Sequence, residues 1–196
     1  MLVIGNGESR LGIDINTRTC TKVGCNAIYR DFFVDHLVCV DKRMLKEALN
    51  SSYHKNTKVY TRKDWWVQHR LEKNIKPVPE LPYVSNDRWD LPWHWGAGPY
   101  AVLLACNLAE DIKLVGFDLY SKDGKLNNMY KDTENYGMSH KRAIDPRYWI
   151  HQIGVLVDLY SDKNFTVYAE EDWKLPTFWN KPNLKVDKIS NIYYNT

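Results

Sequence analysis

The chain has 196 residues, of which 44% are hydrophobic and 26% are charged, values that are ordinary for a globular protein. This composition excludes low-complexity disorder and collagen-like repetition, and there is no long uninterrupted apolar run that would predict a membrane span. The net charge of +3, from 27 basic and 24 acidic residues, does not require a nucleic-acid partner. Because no basic leader or long apolar stretch begins the sequence, we expect a cytoplasmic location.

The cysteines and the aromatic residues bear on the kind of site to expect. Cys20, Cys25, Cys39 and Cys106 form no Cys-x-x-Cys pair and no paired histidine spacing, so no metal site is predicted. Because the last three lie in apolar runs, we expect them to be buried as small hydrophobic side chains. The chain also contains 8 Trp and 13 Tyr, and such side chains form both cores and stacking surfaces for sugars and bases.

Short apolar runs alternate with helical patterns along the first half of the chain. Strands are predicted at residues 2–5, 22–25, 36–40 and 58–61. A helix is predicted over residues 42–50, with Asp41 as its N-cap. A second helix is predicted from Asp64 to Leu71.

The same alternation continues in the second half. Residues 76–95 contain four prolines and are predicted as a long ordered loop over one face of the sheet. Residues 100–108 are predicted as a buried helix with Pro99 in its first turn. The remaining predictions are a strand at 112–117, a polar loop at 121–139, a helix beginning at Asp145-Pro146 and a strand at 164–169. The aromatic tail after residue 172 shows no clear period.

This pattern predicts an α/β fold with a mostly parallel, Rossmann-like sheet and helices on both faces, in a single domain. We expect that domain over residues 1–172, with 76–95 and 121–139 as active-site loops and 173–196 as a C-terminal extension. Ligands bind beyond the carboxyl ends of the strands in such sheets. The polar residues predicted there are Asn6, Asn26, Asp41, Asp118 and Tyr120.

Two local patterns suggest chemistry. The Gly-Asn-Gly-Glu-Ser turn at residues 5–9 offers close backbone approach and free N–H groups, which suit a phosphate, although a simple tight turn has the same pattern. His140 lies in a polar loop just before a predicted helix, where an imidazole that titrates near neutrality is a candidate general base. His151 is predicted on the side of its helix away from the apolar stripe, in a solvated or interfacial position.

Four motifs, taken in order, resemble the bacterial sialyltransferases of glycosyltransferase family 42. They are the 5–9 turn, Cys25-Asn26-x-x-Tyr29, the glycine-containing turn at 96–98 with its apolar helix, and the Gly-Phe-Asp-Leu-Tyr sequence at 116–120. The chain is also similar to DUF115 and MptE-like (6-hydroxymethylpterin diphosphokinase) domains. The likeness covers residues 1 to about 170, and it implies a glycosyltransferase with a nucleotide-sugar donor, a CMP-sugar first and a UDP-sugar second.

The resemblance implies roles for particular residues. Asn6 and Asn26 would contact the nucleotide, Tyr120 would assist departure of the phosphate, and His140 would be the general base with Asp145 five residues later. The donor-binding residues expected are Gly5, Asn6, Gly7, Ser9, Asn26, Asp41, Gly96, Ala97, Gly98, Asp118 and Tyr130. Tyr130 is the nearest substitute for a family tyrosine that is Leu126 in this chain.

The acceptor is expected on an aromatic surface formed by Arg88, Trp89, Trp93 and Trp95, although these tryptophans would equally fasten the loop to the sheet. No Asp-x-Asp sequence is present, which predicts metal-independent transfer with no cofactor beyond the donor. The expected partners are the nucleotide-sugar and a glycan or other hydroxyl acceptor. A nucleic-acid acceptor is a variant of this prediction, and the resemblance implies a homo-oligomer.

Two other classes of function stay open. A pyrophosphokinase of the MptE-like kind would hold Mg²⁺ with carboxylates such as Asp41 and Asp118. A non-catalytic nucleotide- or nucleic-acid-binding module would keep the fold and lose the chemistry. The sequence Gly96-Ala97-Gly98, where the sialyltransferase family has Thr-Ser-Gly, favours this second class because the serine hydroxyl is absent.

Overall fold

The computed structural model describes residues 1–16 and 19–195 of the chain. Eight strands lie in this part of the chain: β1 (Leu2–Ile4), β2 (Lys22–Cys25), β3 (His36–Val38), β4 (Lys58–Thr61), β5 (Ile75–Pro77), β6 (Asp111–Val115), β7 (Asn164–Ala169) and β8 (Leu184–Lys188). The helices are α1 (Lys42–Asn50), α2 (Lys63–Trp66), α3 (Ala97–Cys106), α4 (Arg147–Leu159) and α5 (Ile192–Asn195).

The strands form one parallel sheet in the order β5-β4-β3-β2-β1-β6-β7-β8, which confirms the predicted α/β, Rossmann-like class. From β1 the chain builds the sheet outward to β5 and then crosses back to place β6 on the other side of β1. Ile4 therefore pairs with Gly24 on one side and with Val115 on the other. In open parallel sheets, such a reversal of strand order leaves a crevice beyond the carboxyl ends of the two strands involved.

Helices cover both faces of the sheet. Helices α3 and α4 pack on one face, and α1 packs on the other. Nearly every side chain of α3 is buried because its sequence is apolar on all sides. The cysteines predicted to be buried, Cys25, Cys39 and Cys106, are buried thiols. Among the described residues, no helix is both long and apolar enough to cross a membrane.

Some predicted boundaries are wrong. Helix α2 begins at Lys63, with Arg62 as its N-cap, and ends at Trp66, and the Asp64 carboxylate in its first turn pairs with the Arg62 guanidinium. Helix α4 begins at Arg147, one residue after Pro146, which is its N-cap.

Two edge strands, β5 and β8, were not predicted. Both are short or half-exposed, and so neither shows the apolar run by which a central strand is recognised. Strand β5 ends at Pro77, a position where the missing N–H group costs no sheet hydrogen bond.

The two long loops pack on opposite faces of the sheet. The segment between β5 and α3 covers the α3–α4 face, as predicted, and inserts Trp95 into the core there. The polar loop at residues 121–139 covers the other face and buries Tyr130. Both loops reach the carboxyl edge of the sheet, and they form the sides of the crevice between β1 and β6.

Candidate functional site

A cleft of about 540 Å³ lies beyond the carboxyl ends of β1, β2, β3 and β6. This volume is in the range of cavities that hold small organic ligands. The lining comes from the residues that follow these strands, from the N-terminus of α3, from residues 121–144 and from the first half of α4. The cleft therefore lies at the position where a doubly wound sheet places its ligand.

Two glycines allow the ends of β1 and β6 to approach each other at the base of the cleft. A Cβ atom on Gly5 would lie 2.3 Å from the carbonyl oxygen of Gly116. Gly116 itself has a φ of +71°, in the left-handed region that favours glycine. Gly7 N–H donates to that same carbonyl at 2.9 Å. The ends of β1 and β6 therefore meet backbone to backbone at the base of the cleft.

The turn at residues 5–9 has no free N–H groups at its C-terminal end. Glu8 N–H donates to Asn127 Oδ1 at 2.9 Å, and Ser9 N–H donates to Asp118 Oδ2 at 2.9 Å. The Ser9 hydroxyl donates to the second oxygen of the Asp118 carboxylate. The prediction that these N–H groups await a phosphate is therefore wrong, because the protein supplies its own acceptors.

The N-terminus of α3 provides an open set of donors instead. Gly96 is the N-cap and has no side chain to accept from the first turn of the helix. The backbone of Ala97 and Gly98 lines the cleft at this end. A Cβ atom on Gly98 would lie 3.3 Å from the Phe117 ring, so glycine keeps this approach open. The first-turn N–H groups, which no side chain caps, and the positive end of the helix dipole favour an anion.

Two side-chain amides face the cleft with unused acceptor atoms. Asn6 Nδ2 donates to the Tyr136 hydroxyl at 3.2 Å. The Oδ1 atoms of Asn6 and Asn26 are both buried and have no hydrogen-bond partner among the described residues. Asn26 has a φ of +48°, a left-handed conformation that asparagine tolerates better than most residues. Buried acceptors without partners are costly, so both amides are positions at which a hydrogen-bond donor is missing.

Tyr136 is a cleft residue that sequence reasoning missed. Its hydroxyl accepts from Asn6, and burial raises its pKa. Tyr130, which was predicted to bind the donor, lies outside the cleft lining and is 4% exposed. The Tyr130 hydroxyl donates to Asp31 at 2.7 Å and accepts from Arg10 at 2.9 Å. No periodicity distinguishes these two tyrosines within a polar loop, so the sequence offers no signal for choosing between them.

The predicted catalytic residues do not lie together. His140 is exposed and lines a neighbouring cavity, and Tyr120 is 39% exposed and outside the described lining of both cavities. The Asp145 carboxylate accepts from the backbone N–H and Nε of Arg147, at 3.0 and 2.8 Å. In place of the His140–Asp145 pair that the resemblance implies, Asp145 makes a local contact at the start of α4.

The four residues of the predicted acceptor surface also lie in different places. Trp95 is 3% exposed and lines the cleft, and its ring contacts Tyr100. Trp89 stacks on Tyr148 with 4.4 Å between ring centroids, which fastens the loop to α4. Trp93 and Arg88 are exposed and lie outside the cleft lining as described. These four residues therefore form no single surface around the cleft.

Charge at the cleft is mixed, with a positive rim. Arg43, Lys141 and Arg142 are exposed lining residues. The carboxylate of Asp41 accepts from Arg43 N–H at 2.8 Å, which confirms its prediction as the cap of α1. Asp118 is held by Ser9 in a similar way. Across the described residues, no three His, Cys, Asp or Glu side chains are grouped so that they could hold a metal ion.

Comparison of the chain with family models, curated proteins and solved structures finds no match. The functional argument therefore depends on the geometry of the cleft and on the motifs that line it. Ser9 and Tyr130 are the predicted donor residues that lie outside the cleft lining as described. The predicted donor residues that line it are Gly5, Asn6, Gly7, Asn26, Asp41, Gly96, Ala97, Gly98 and Asp118.

Proposed function

We propose that the cleft binds a nucleotide and that the protein is a glycosyltransferase that uses a nucleotide-sugar donor. One observation carries the proposal: the open N-terminus of α3 and the unpartnered amide oxygens of Asn6 and Asn26 line the same cleft at the reversal of strand order. A nucleotide matches this arrangement because it joins an anionic phosphate to a base and a sugar that donate hydrogen bonds.

The phosphate is assigned to the helix end. The N–H groups of Ala97 and Gly98 would donate to its oxygens, and the positive end of the α3 dipole would stabilise its charge. Lys141 and Arg142 at the rim add positive charge on the solvent side. When the bond between sugar and phosphate breaks, negative charge grows on the departing phosphate, and fixed donors at that point lower the barrier.

The base and the ribose are assigned to the amides. Asn6 and Asn26 follow β1 and β2, which are neighbouring strands, so the two side chains enter the cleft side by side. Each Oδ1 would accept from a ribose hydroxyl or an exocyclic amino group. The resemblance to family 42 supports a CMP-sugar as the first donor to test and a UDP-sugar as the second.

The pyrophosphokinase alternative has one observation in its favour. Asp41 and Asp118 both line the cleft, so two carboxylates are near the proposed phosphate position. Each already accepts from a backbone N–H group, which uses part of its capacity as a ligand. Removal of Mg²⁺ with EDTA distinguishes the two functions, because nucleotide-sugar turnover would continue and pyrophosphoryl transfer would stop.

Calorimetric titration of CMP, UDP and cytidine tests the nucleotide site. We expect CMP or UDP to bind at least 10-fold more tightly than cytidine, a difference of about 1.4 kcal/mol, because the phosphate engages α3. The substitution Asn26→Gly should weaken nucleotide binding by about 10-fold. It removes one hydrogen bond between uncharged groups, worth about 1 kcal/mol, and some of the contact area with the nucleotide. Glycine keeps the left-handed backbone of this position without strain.

The matched control is Ser52→Gly, because Ser52 also has a positive φ, +61°, and lies at the far end of α1. This variant should bind nucleotides like the wild type. Absence of binding by any nucleotide would refute the site. Binding that is unchanged in Asn26→Gly would refute the orientation assigned to the base.

A further inference from the structure

A second cavity, of about 630 Å³, adjoins the cleft. The two share Asp118, Ser121, Leu126 and Asn127 in their linings, so they adjoin along these residues. The second cavity extends outward past Glu8, the loop at 121–131 and His140. A molecule in it would therefore meet a ligand in the cleft at these shared residues.

Four of the charged side chains that line the second cavity form two ion pairs, and the other Asp and Lys side chains of the lining are Asp118, Asp123 and Lys125. Lys131 Nζ lies 2.5 Å from Glu8 Oε1, and Lys122 Nζ lies 2.6 Å from Glu170 Oε2. Paired charges of both signs give hydrogen-bond donors and acceptors without a strong net field. Such a lining suits an uncharged molecule with many hydroxyl groups better than a polyanion, which would require an excess of unpaired cations.

Asp118 is the titratable side chain that both cavities share. Its carboxylate is half-buried and is fixed by two donors from Ser9, the backbone N–H at 2.9 Å and the hydroxyl. Gly7 makes room for it, since a Cβ atom there would lie 2.3 Å from Asp118 Oδ1. The position of this carboxylate is therefore defined from several sides.

The backbone after Asp118 is strained. Leu119 has a φ of +61°, and Tyr120 N–H donates to Asp118 C=O at 2.6 Å across a three-residue turn. A branched residue is unfavourable in this conformation, and such strain is found where a site requires a particular placement. Trp173, in the C-terminal segment, also stabilises this turn, because its Nε1 donates to Asp118 C=O at 2.9 Å.

From this geometry we infer that the second cavity holds a neutral, hydroxyl-rich acceptor and that Asp118 takes the proton from the reacting hydroxyl. The inference rests on the proposed nucleotide-sugar transferase function. In the step, the acceptor oxygen forms a bond to the anomeric carbon, and the bond from that carbon to the phosphate oxygen breaks. The hydroxyl proton passes to the Asp118 carboxylate, and the nucleotide leaves with the electron pair of the broken bond.

The test measures transfer from CMP-sialic acid and from UDP-glucose to methyl β-glucoside, to methyl β-galactoside and to a single-stranded oligonucleotide. We expect transfer to a methyl glycoside, detected as glycosylated product by mass spectrometry. Asp118→Asn should lower kcat at least about 100-fold, the usual contribution of a general base. Nucleotide Kd should stay within about threefold, because Asn keeps an acceptor oxygen for Ser9 N–H.

Two further variants separate the sites. Leu11→Trp places bulk in the second cavity at a side chain that is 63% exposed, and it should raise the acceptor KM while leaving nucleotide Kd unchanged. Asp162→Asn, a matched carboxylate change at an exposed position before β7, should alter neither constant. Circular dichroism of each variant checks that the fold is intact.

Each remaining outcome overturns a defined claim. Transfer to the oligonucleotide alone would refute the neutral acceptor. If Asp118→Asn keeps full transferase activity and His140→Gln loses it, the His140 imidazole and not Asp118 takes the proton of the acceptor hydroxyl. Nucleotide binding with no transfer to any of these acceptors would refute the acceptor cavity and leave the nucleotide site standing. If no nucleotide binds, the proposed function itself fails.

Discussion

Arg10 lies beneath the turn that begins the cleft, and its side chain is 1% exposed. Its Nε donates to the Gly5 carbonyl oxygen at 2.8 Å, and one terminal nitrogen donates to the Tyr130 hydroxyl at 2.9 Å. The nearest carboxylate oxygen, on Asp31, is 3.9 Å away. Burying a guanidinium that has no carboxylate at hydrogen-bond distance costs free energy. The hydrogen bonds that Arg10 makes are therefore needed to offset that cost. Arg10 thereby links the 5–9 turn to the loop at 121–139.

Replacement of Arg10 by methionine should lower the free energy of unfolding by about 3 kcal/mol, since Gly5 C=O loses its donor and the Tyr130 hydroxyl loses a partner. Urea denaturation measures this difference. Arg88→Met, at an exposed arginine, is the control and should change stability by less than about 0.5 kcal/mol. A loss below about 1 kcal/mol in Arg10→Met would show that the buried hydrogen bonds contribute little.

At the scale of elements, the irregular segment before α3 is fastened to α4 by polar contacts. Gln152 Nε2 donates to Trp89 C=O at 2.9 Å and to His94 C=O at 3.2 Å. His151 Nε2 lies 2.7 Å from Asp90 Oδ1, which agrees with the interfacial position predicted for this histidine. Tyr83 donates to the same Asp90 oxygen. These contacts place Trp95, at the end of the segment, against the cleft.

Asp90 makes this attachment sensitive to pH. Burial raises the pKa of its carboxyl, but hydrogen bonds from Tyr83 and His151 outweigh burial and lower the pKa below the ordinary value of 3.8. A lowered pKa in the folded state stabilises the protein above the ordinary value, and this stabilisation is lost as pH falls through the folded-state value.

The stability difference between wild type and Asp90→Asn should therefore be largest above about pH 4 and should shrink as the solution is made more acidic. Urea denaturation at a series of pH values from about 2 to 6 measures it, with Asp162→Asn as the exposed control. A difference that does not vary with pH would mean that the Asp90 charge is not what stabilises the attachment.

At the scale of the whole molecule, the aromatic tail completes the sheet. Strand β8 pairs with β7 along five residues, from Leu184 opposite Phe165 to Lys188 opposite Ala169. Before β8, Trp179 is fully buried against α4, and its Nε1 donates to Ile150 C=O at 2.8 Å. The segment from Trp173 to Leu184 is therefore packed into the same core as α3 and α4, and Ile189 and Ile192 pack on the other face of the sheet.

Truncation of Trp179 to alanine should destabilise the protein by about 3–5 kcal/mol, because it leaves a large cavity and an unpaired carbonyl. Trp93→Ala is the matched control: this side chain is 58% exposed, and we expect a change below about 0.5 kcal/mol. Equal effects of the two substitutions in thermal or urea unfolding would contradict the tail's role in the core.

The sequence by itself determined the fold class, the central strands and the positions of α1 and α3. These features depend on periodicity and capping over a few neighbouring residues, such as Asp41 accepting from Arg43 N–H. It also identified Asn6 and Asn26 as cleft residues, because polar side chains that follow parallel strands must meet at one edge of the sheet.

Only the tertiary structure decided which groups at that edge are free. The Glu8 N–H is taken by Asn127, 119 residues away, and the Ser9 N–H by Asp118, 109 residues away. Tyr136 likewise lines the cleft through a long-range contact, since its hydroxyl accepts from Asn6, which is 130 residues away in the sequence. The availability of a donor or acceptor depends on partners that packing brings together, and no local pattern in the sequence encodes such partners.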